Sequence, residues 1–243
     1  ALHDVQSLAT SLEQSDHMPT WQEAAAAESA SDDGPALDRL RQIDDLARRC
    51  AEQAVMDFSF LHDAGRDLLS IGYNVTDRRL DSSYYDLLAS EARLASFILV
   101  ARGELAQDHW FALGRQFTTH DGAMALLSWS GSMFEYLMPS LVMRAAEGSL
   151  LEQSNRLIVE RQIGYGRQLG IPWGISESAY NARDLQLTYQ YSNFGVPGLG
   201  LKRGLAQNLV IAPYATALAG MVNAPAACRN FARLQQLGAQ GDY

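Results

Sequence analysis

Acidic side chains stand among aromatic and amide residues at four places in the sequence: Asp86, Glu91, Glu135 and Glu177. Aromatic faces bind the C–H surfaces of sugars, whereas carboxylate, amide and arginine groups bind sugar hydroxyls. This composition is typical of an oligosaccharide cleft. The aromatic residues next to these carboxylates are Trp129 and Tyr136 beside Glu135, and Trp173 and Tyr180 on either side of Glu177.

Hydrolysis or transfer of a glycosidic bond needs two carboxyl groups, one to protonate the leaving oxygen and one to act as nucleophile or base. The four acidic residues supply such a pair. Each also has a structural alternative, since ion pairs and caps are common. Glu91 has arginines for neighbours, Glu135 suits an interhelical hydrogen bond, and Glu177 suits a cap on a following turn.

The charge of the chain excludes one class of partner. The 243 residues carry a formal net charge of −9. Residues 1–36 hold seven acidic and no basic residues, which leaves 21 acidic against 19 basic residues in the remainder. No basic stripe follows the sequence, so we expect no nucleic acid as partner.

Sequence motifs for metal and phosphate binding are missing. The five histidines form no HxxxH pair and the two cysteines no CxxC motif, so zinc has little support from spacing. Gly195–Gly200 lacks the lysine of a phosphate-binding loop and is better explained as a glycine-rich turn packed near a helix end. We expect neither a metal nor a cofactor.

Apolar periodicity divides the chain. Residues 1–35 are predicted to be an acidic leader with a short helix and a weakly ordered linker, and residues 36–243 to form one helical domain. Within that domain a β-hairpin is predicted over 57–75, and an irregular functional loop over 170–204. Helices are predicted over 35–54, 84–101, about 132–139, 150–169, 212–221 and 224–237.

Five long strings resemble the glucoamylase-like central domain of bacterial cyclic β-1,2-glucan synthases, and the likeness covers roughly residues 37–243. The resemblance implies an all-α fold, a partial (α/α)6-barrel-like helical array with a small β-hairpin and long functional loops. The strings are Ser70-Ile-Gly-Tyr-Asn-Val, Asp81-Ser-Ser-Tyr-Tyr-Asp-Leu-Leu-Ala-Ser-Glu-Ala-Arg-Leu, Ser128-Trp-Ser-Gly-Ser-Met-Phe-Glu-Tyr-Leu-Met-Pro, Pro172-Trp-Gly-Ile-Ser-Glu-Ser-Ala-Tyr-Asn and Phe194-Gly-Val-Pro-Gly-Leu-Gly-Leu-Lys-Arg-Gly.

The resemblance also implies a reaction, the cyclisation of linear β-1,2-glucan by transglycosylation. It assigns the nucleophile to Glu177 and the proton donor to Glu91, in a retaining mechanism. The implied subsite residues are Asp86, Trp129, Glu135, Trp173, Tyr180, Asn181, Tyr189 and Tyr191.

The implied partners are a β-1,2-glucan oligosaccharide and the remaining domains of the parent synthase. That parent is an inner-membrane protein, with this part expected as a soluble domain on the cytoplasmic side. The chain is expected to be truncated at its C-terminal end, which favours self-association through uncovered apolar faces. Alternatives are an endo-β-1,2-glucanase or glucoamylase-like hydrolase, and a piece that binds or scaffolds without catalysis.

Overall fold

The computed structural model describes residues 20–27, 34–120 and 122–239. The chain divides into two units, residues 1–60 and residues 61–243. In the first unit, helix α1 (Trp21–Ala27) precedes helix α2 (Pro35–Gln53). Pro35 occupies the first turn of α2, where its missing N–H costs nothing, and the helix predicted over 35–54 is confirmed. The helix predicted near the start of the leader lies outside the described residues.

The helices of the second unit follow local sequence signals closely at its C-terminal end. The helix predicted over 150–169 is confirmed to the residue. It begins after a Ser149 cap and ends at Gly170, which has the left-handed φ of 71° that glycine adopts readily. In the described residues these helices are α3 (Ser90–Ala101), α4 (Asp108–Ala112), α5 (Met133–Leu137), α6 (Leu150–Leu169), α7 (Pro213–Gly220) and α8 (Ala224–Gln236).

The strands form four separate antiparallel hairpins. The first confirms the hairpin predicted over 57–75, with Gly65 in its turn. A register shift interrupts the last hairpin. The pairs are β1 (His62–Asp63) with β2 (Leu68–Leu69), β3 (Tyr73–Asn74) with β4 (Arg79–Leu80), β5 (Phe117–His120) with β6 (Ala123–Leu126), and β7 (Ser178–Arg183) with β8 (Tyr189–Ser192).

The all-α prediction is therefore wrong. Helices and hairpins alternate along the described residues, so the fold is mixed α and β rather than a partial (α/α)6 barrel. Residues 178–192, expected to be irregular loop, form β7 and β8 instead. Side chains of β7 alternate between half-buried and exposed positions, the period of a strand with one face against the protein.

The helix predicted over 84–101 begins six residues later, at Ser90. The preceding segment is fixed by competing hydrogen bonds. Asp86 Oδ1 accepts from the backbone N–H groups of Leu88 and Ala89 at 2.9 and 3.0 Å. The Leu87 N–H donates to the carbonyl of Gly114 at 3.0 Å. Side chains of this kind offer the backbone an alternative to helix, so residues 81–89 stay non-helical.

The core of the second unit lies between α5, α6, α7 and α8. Tyr136 at its centre is fully buried, and its hydroxyl donates towards the carbonyls of Leu126 and Leu199 at 2.8 and 3.1 Å. This satisfies the polar end of a buried aromatic side chain, as burial requires. Apolar residues around it include Leu137, Ile158, Val159, Ile175, Val196, Ala215 and Ala219.

Two glycines of α6 face different surroundings. A Cβ added at Gly166 would lie 2.8 Å from Trp173 Cβ and 3.1 Å from Trp173 Cα. A Cβ added at Gly164 would meet no atom within 4 Å. The close approach at Gly166 brings α6 against the segment that leads to Glu177.

We expect opposite effects of alanine at these two positions. Gly164→Ala should raise the free energy of unfolding by about 0.5–1 kcal/mol, because alanine favours the helix and meets nothing. Gly166→Ala should lower it by about 1–3 kcal/mol, because the methyl group overpacks the contact with Trp173. Urea denaturation measures both. Equal effects of the two variants would contradict this packing.

Candidate active site

One wall of the candidate site is the non-helical segment before α3. Backbone bonds pin this segment on two sides: Ile71 N–H donates to Ser83 O at 3.0 Å, and Leu87 donates to Gly114 as described. Tyr84 is fixed by a hydrogen bond from its hydroxyl to Asp63 Oδ2. Four consecutive residues of this segment, 83–86, line the same cleft.

The second wall is the loop that leads into α5. Glu135, in the first turn of α5, accepts hydrogen bonds from five donor groups on Ser128, Ser130 and Ser132, at 2.5–3.2 Å. Ser132 and Glu135 thereby form a capping box, which satisfies the free N–H groups of the helix start. The carboxylate holds the loop, and Trp129 within that loop is exposed at 60%.

Glu177 is positioned by buried side chains around the segment that precedes it. Gln162 of α6 donates to the Ile175 carbonyl at 2.7 Å and accepts from the Ile175 N–H at 2.9 Å. Asn230 of α8 accepts from Trp173 N–H and donates to its carbonyl, at 3.1 and 2.8 Å. Both amides are buried. A buried amide left unpaired is costly, so these bonds fix the backbone just before Glu177.

Tyr214, at the start of α7, completes the surroundings of Glu177. Its hydroxyl lies 2.7 Å from the Glu177 carbonyl oxygen and 2.9 Å from Ser176 Oγ. The pKa of Tyr214 is raised to about 12. Burial is the main cause, the charge of Glu177 adds to it, and the hydrogen bond with Ser176 acts in the opposite direction. Burial and the same charge raise the pKa of Tyr191 above its ordinary value. Both phenols therefore stay neutral beside Glu177 at physiological pH.

These walls enclose a cleft of about 580 Å³. Its volume falls in the range of ordinary ligand sites. Three acidic side chains, four aromatic rings and small residues share it. The lining residues are Ile71, Ser83, Tyr84, Tyr85, Asp86, Ala89, Trp129, Phe134, Glu135 and Glu177.

Four of the ten predicted site residues line this cleft: Asp86, Trp129, Glu135 and Glu177. Tyr191 lies near enough to feel the charge of Glu177.

Four of the other predicted residues lie elsewhere. Tyr180 packs edge-on against Phe194. Asn181 and Tyr189 are exposed on the β7–β8 hairpin, where Arg183 stacks over the Tyr189 ring at 4.2 Å. Trp173 is buried in the core, 7% exposed. Glu91 belongs to the first turn of α3, and its side chain is outside the described part of the chain.

Sequence reasoning missed Tyr84, Tyr85, Phe134 and Tyr214 as members of the site. The first two follow the same Asp81-Ser-Ser string that carries Asp86, so an extended rather than helical interpretation of that string would have found them. Tyr214 lies 37 residues after Glu177, and no local pattern connects the two.

The charges of the first two walls act on one another. Burial raises the pKa of Asp86 above its ordinary value of 3.8, and the negative charge of Glu135 acts in the same direction. The hydrogen bonds from Ala89 and Leu88 and the positive charge of Arg93 lower the pKa in part. Burial lowers the pKa of Arg93 to about 10, and the charge of Asp86 acts against this. Arg93 therefore stays a buried cation, and it donates to the Glu135 carbonyl oxygen at 3.1 Å.

We expect Glu135→Gln to lower the free energy of unfolding by about 2–3 kcal/mol. The amide cannot accept from all five donors, and hydrogen bonds to a charged group contribute about 1.5–3 kcal/mol each. Glu152→Gln is the matched control. Glu152 occupies the same helix position after a serine cap in α6, but its carboxylate pairs with the exposed Arg156 instead of holding a loop. Its effect should therefore stay within about 0.5 kcal/mol. Chemical denaturation measures the free energy of unfolding of both variants. Equal losses in the two would contradict the hydrogen-bond network around Glu135.

The raised pKa of Asp86 predicts a direction of pH dependence. A carboxyl whose pKa is higher in the folded than in the unfolded state makes the protein more stable as pH falls through the folded pKa towards 3.8. Asp86→Asn keeps an acceptor for Leu88 and Ala89 but removes the titration. We therefore expect the wild type to gain stability relative to Asp86→Asn between pH 7 and pH 4. Denaturation at several pH values tests this, and a relative loss over that range would contradict it.

None of the helices in the part of the chain that the structure describes has both the length and the hydropathy of a membrane span.

Comparison with known proteins places this site in a family. The chain is 53% identical to the cyclic β-(1,2)-glucan synthase NdvB of Rhizobium meliloti (strain 1021), over 95% of this chain and 8% of that protein, so it spans a small part of its relative. The sequence model described as putative glucoamylase matches residues 83–241, which include every residue of the predicted site. The resemblance seen in the sequence is thus confirmed, and the chain belongs to the putative glucoamylase family.

Proposed function

We propose that the cleft binds β-1,2-glucan and that the chain rearranges its glycosidic bonds. One observation carries the proposal: Glu177, Asp86 and the exposed ring of Trp129 line the same cleft. The ring offers a face to the C–H surface of a glucose unit, and the carboxylates accept from its hydroxyls. The NdvB protein is named as a cyclic β-(1,2)-glucan synthase, which supports this glucan as the substrate class.

In the proposed first step, a Glu177 oxygen attacks the anomeric carbon of a glucose unit within the linear chain. The bond from that carbon to the leaving oxygen breaks, and the leaving oxygen takes the proton of Glu91. Glu177 is then bonded covalently to the anomeric carbon, and Glu91 is a carboxylate. This is the first half of a retaining mechanism. The role of Glu91 rests on the family resemblance.

In the proposed second step, the 2-hydroxyl at the non-reducing end of the same glucan attacks the anomeric carbon. The bond to Glu177 breaks, a new β-1,2 bond forms, and the hydroxyl proton returns to Glu91. The number of glycosidic bonds in the ring equals the number of sugars, so no reducing end remains. Water in place of that hydroxyl gives two linear products, which is the hydrolase alternative.

The surroundings of Glu177 suit a nucleophile held in one place. Its backbone is fixed through Tyr214 at its own carbonyl and through Gln162 and Asn230 at the residues before it. Precise placement of reacting groups accounts for a large part of enzymatic rate. The family membership extends the proposal to partners: other domains of a larger synthase would supply the linear glucan, and this part would close it.

We expect Glu177→Gln to lower the rate of ring formation from linear β-1,2-glucan at least a thousandfold, because the amide is no nucleophile. Binding should persist, since glutamine keeps the shape of the side chain. Activity is measured in the full-length protein with linear glucan as the only substrate. Products are separated by size and assayed for reducing ends, which distinguish rings from hydrolysed chains. Binding is measured by tryptophan emission on titration with β-1,2-gluco-oligosaccharides.

Glu152→Gln again serves as the control, because Glu152 lies outside the cleft, and it should keep full activity. Near-normal activity of Glu177→Gln would refute the role of Glu177. New reducing ends without rings would favour the hydrolase. Binding without any bond cleavage in the wild type would reduce the function to glucan recognition.

A further inference from the structure

A second group of polar side chains lies outside the cleft, at the first hairpin. Asp67 ends the turn between β1 and β2 with a φ of 53°. This left-handed conformation is uncommon for residues that carry a side chain, although Asp tolerates it better than most. It presents both the carbonyl and the carboxylate of Asp67 to the same neighbour, His109 of α4.

Three potential ligand groups converge here. His62 Nε2 lies 3.0 Å from Asp67 Oδ1, and His109 Nδ1 lies 3.8 Å from the same oxygen. The ligand atoms of these three residues all lie within 4.8 Å of one another. Ligands at 2.0–2.2 Å from a tetrahedral zinc ion are about 3.4 Å apart, so small side-chain movements bring all three onto one ion.

A hydrogen bond that would orient His109 for metal binding is already present. His109 is fully buried, and its other ring nitrogen, Nε2, lies 2.9 Å from the hydroxyl of Ser96 on α3. Metal-binding histidines are commonly oriented by such a hydrogen bond at the nitrogen that does not bind the metal. A hydroxyl can accept or donate, so Ser96 accommodates either tautomer of the ring.

The outer side of the group is open. The side chains of His62 and Asp67 keep 23% and 38% of their surface exposed. An ion can therefore reach the group from solvent, and solvent is the source of a fourth ligand.

We propose that His62, Asp67 and His109 form a binding site for a divalent transition-metal ion of the zinc class. Two imidazoles and one carboxylate are the ligands that such ions prefer, whereas magnesium and calcium prefer oxygen alone.

The tautomer of His109 that binds a metal through Nδ1 carries its hydrogen on Nε2. In that tautomer, Nε2–H donates to the hydroxyl of Ser96. The ion would join the β1–β2 hairpin to α4, because His62 and His109 are 47 residues apart in the sequence. This link would stabilise the hairpin that precedes the cleft wall.

The opposing interpretation is that His109 Nδ1–H simply donates to the Asp67 carbonyl, 2.8 Å away, and that His62 pairs with the carboxylate. Both interpretations predict the same hydrogen bonds in the metal-free protein. They differ in what added metal does.

The test is a titration of the metal-free chain with Co²⁺, followed by visible ligand-field absorption, and then displacement by Zn²⁺. We expect one equivalent of Co²⁺ to bind, Zn²⁺ to abolish the absorption, and Zn²⁺ but not Mg²⁺ to raise the midpoint of thermal unfolding. His62→Gln and Asp67→Asn should each weaken Co²⁺ binding at least tenfold. Both residues are partly exposed, and Asn also tolerates the left-handed backbone, so both variants should fold.

His120→Gln is the matched control, because it removes a histidine outside the group, and its affinity should equal that of the wild type. Ser96→Ala should weaken binding about 10–100-fold while leaving all three ligands. Absence of a saturable absorption in the wild type would overturn the proposal. So would an unchanged affinity in both His62→Gln and Asp67→Asn, and neither readout depends on activity towards glucan.

Discussion

Two stretches of backbone approach so closely that no side chain fits between them. A Cβ added at Gly195 would lie 1.7 Å from the Ser130 carbonyl oxygen, and one at Gly200 would lie 2.5 Å from the Ser130 carbonyl carbon. Backbone hydrogen bonds join residues 128–131 to residues 196–202 along this contact. The contact fixes the loop that displays Trp129 and places its serines around Glu135. Packing thus requires glycine at positions 195 and 200, and the glycine-rich turn predicted there packs against the loop of residues 128–131.

Polar groups inside the second unit act mainly on backbone. Glu135 holds a serine loop, Gln162 and Asn230 hold the segment before Glu177, and Arg93 holds the end of α5. Each side chain forms hydrogen bonds with backbone groups that no helix or strand would otherwise satisfy, and these bonds offset the free-energy cost of removing polar groups from water. Irregular segments whose backbone is held by such side-chain hydrogen bonds can be rigid. The cleft is built from such segments, while the regular helices behind them supply the amides and the apolar core.

The parts of the fold that are coded locally could be predicted from the sequence. Helix α6 has a serine cap, an apolar period and a terminal glycine, and its bounds follow from these alone. The start of α3 could not be predicted in this way, because Asp86 binds the backbone N–H groups of Leu88 and Ala89 and so keeps a segment of helical periodicity out of the helix. The β7–β8 hairpin was missed since its exposed residues show no strong apolar alternation.

The candidate site could be predicted in composition more than in geometry. Asp86, Trp129, Glu135 and Glu177 share a cleft, as a sugar-binding composition suggested. Their proximity depends on contacts distant in sequence, such as that between α5 and the segment before Glu177. Trp173 carries the same type of side chain as Trp129, but it packs beneath Gly166 in the core. Residue type alone cannot separate a tryptophan that faces a ligand from one that faces a helix.

The last hairpin bears on how this domain can diversify. It starts directly after Glu177, and its tip at Leu185 is almost fully exposed. Loop length changes at an exposed tip cost little free energy, whereas the residues that anchor Glu177 lie on the other side, in α6 and α8. Insertions or deletions at the tip can thus reshape the rim near the carboxylate while its anchorage stays constant. The shape of the cleft rim can therefore change independently of how the backbone around Glu177 is held.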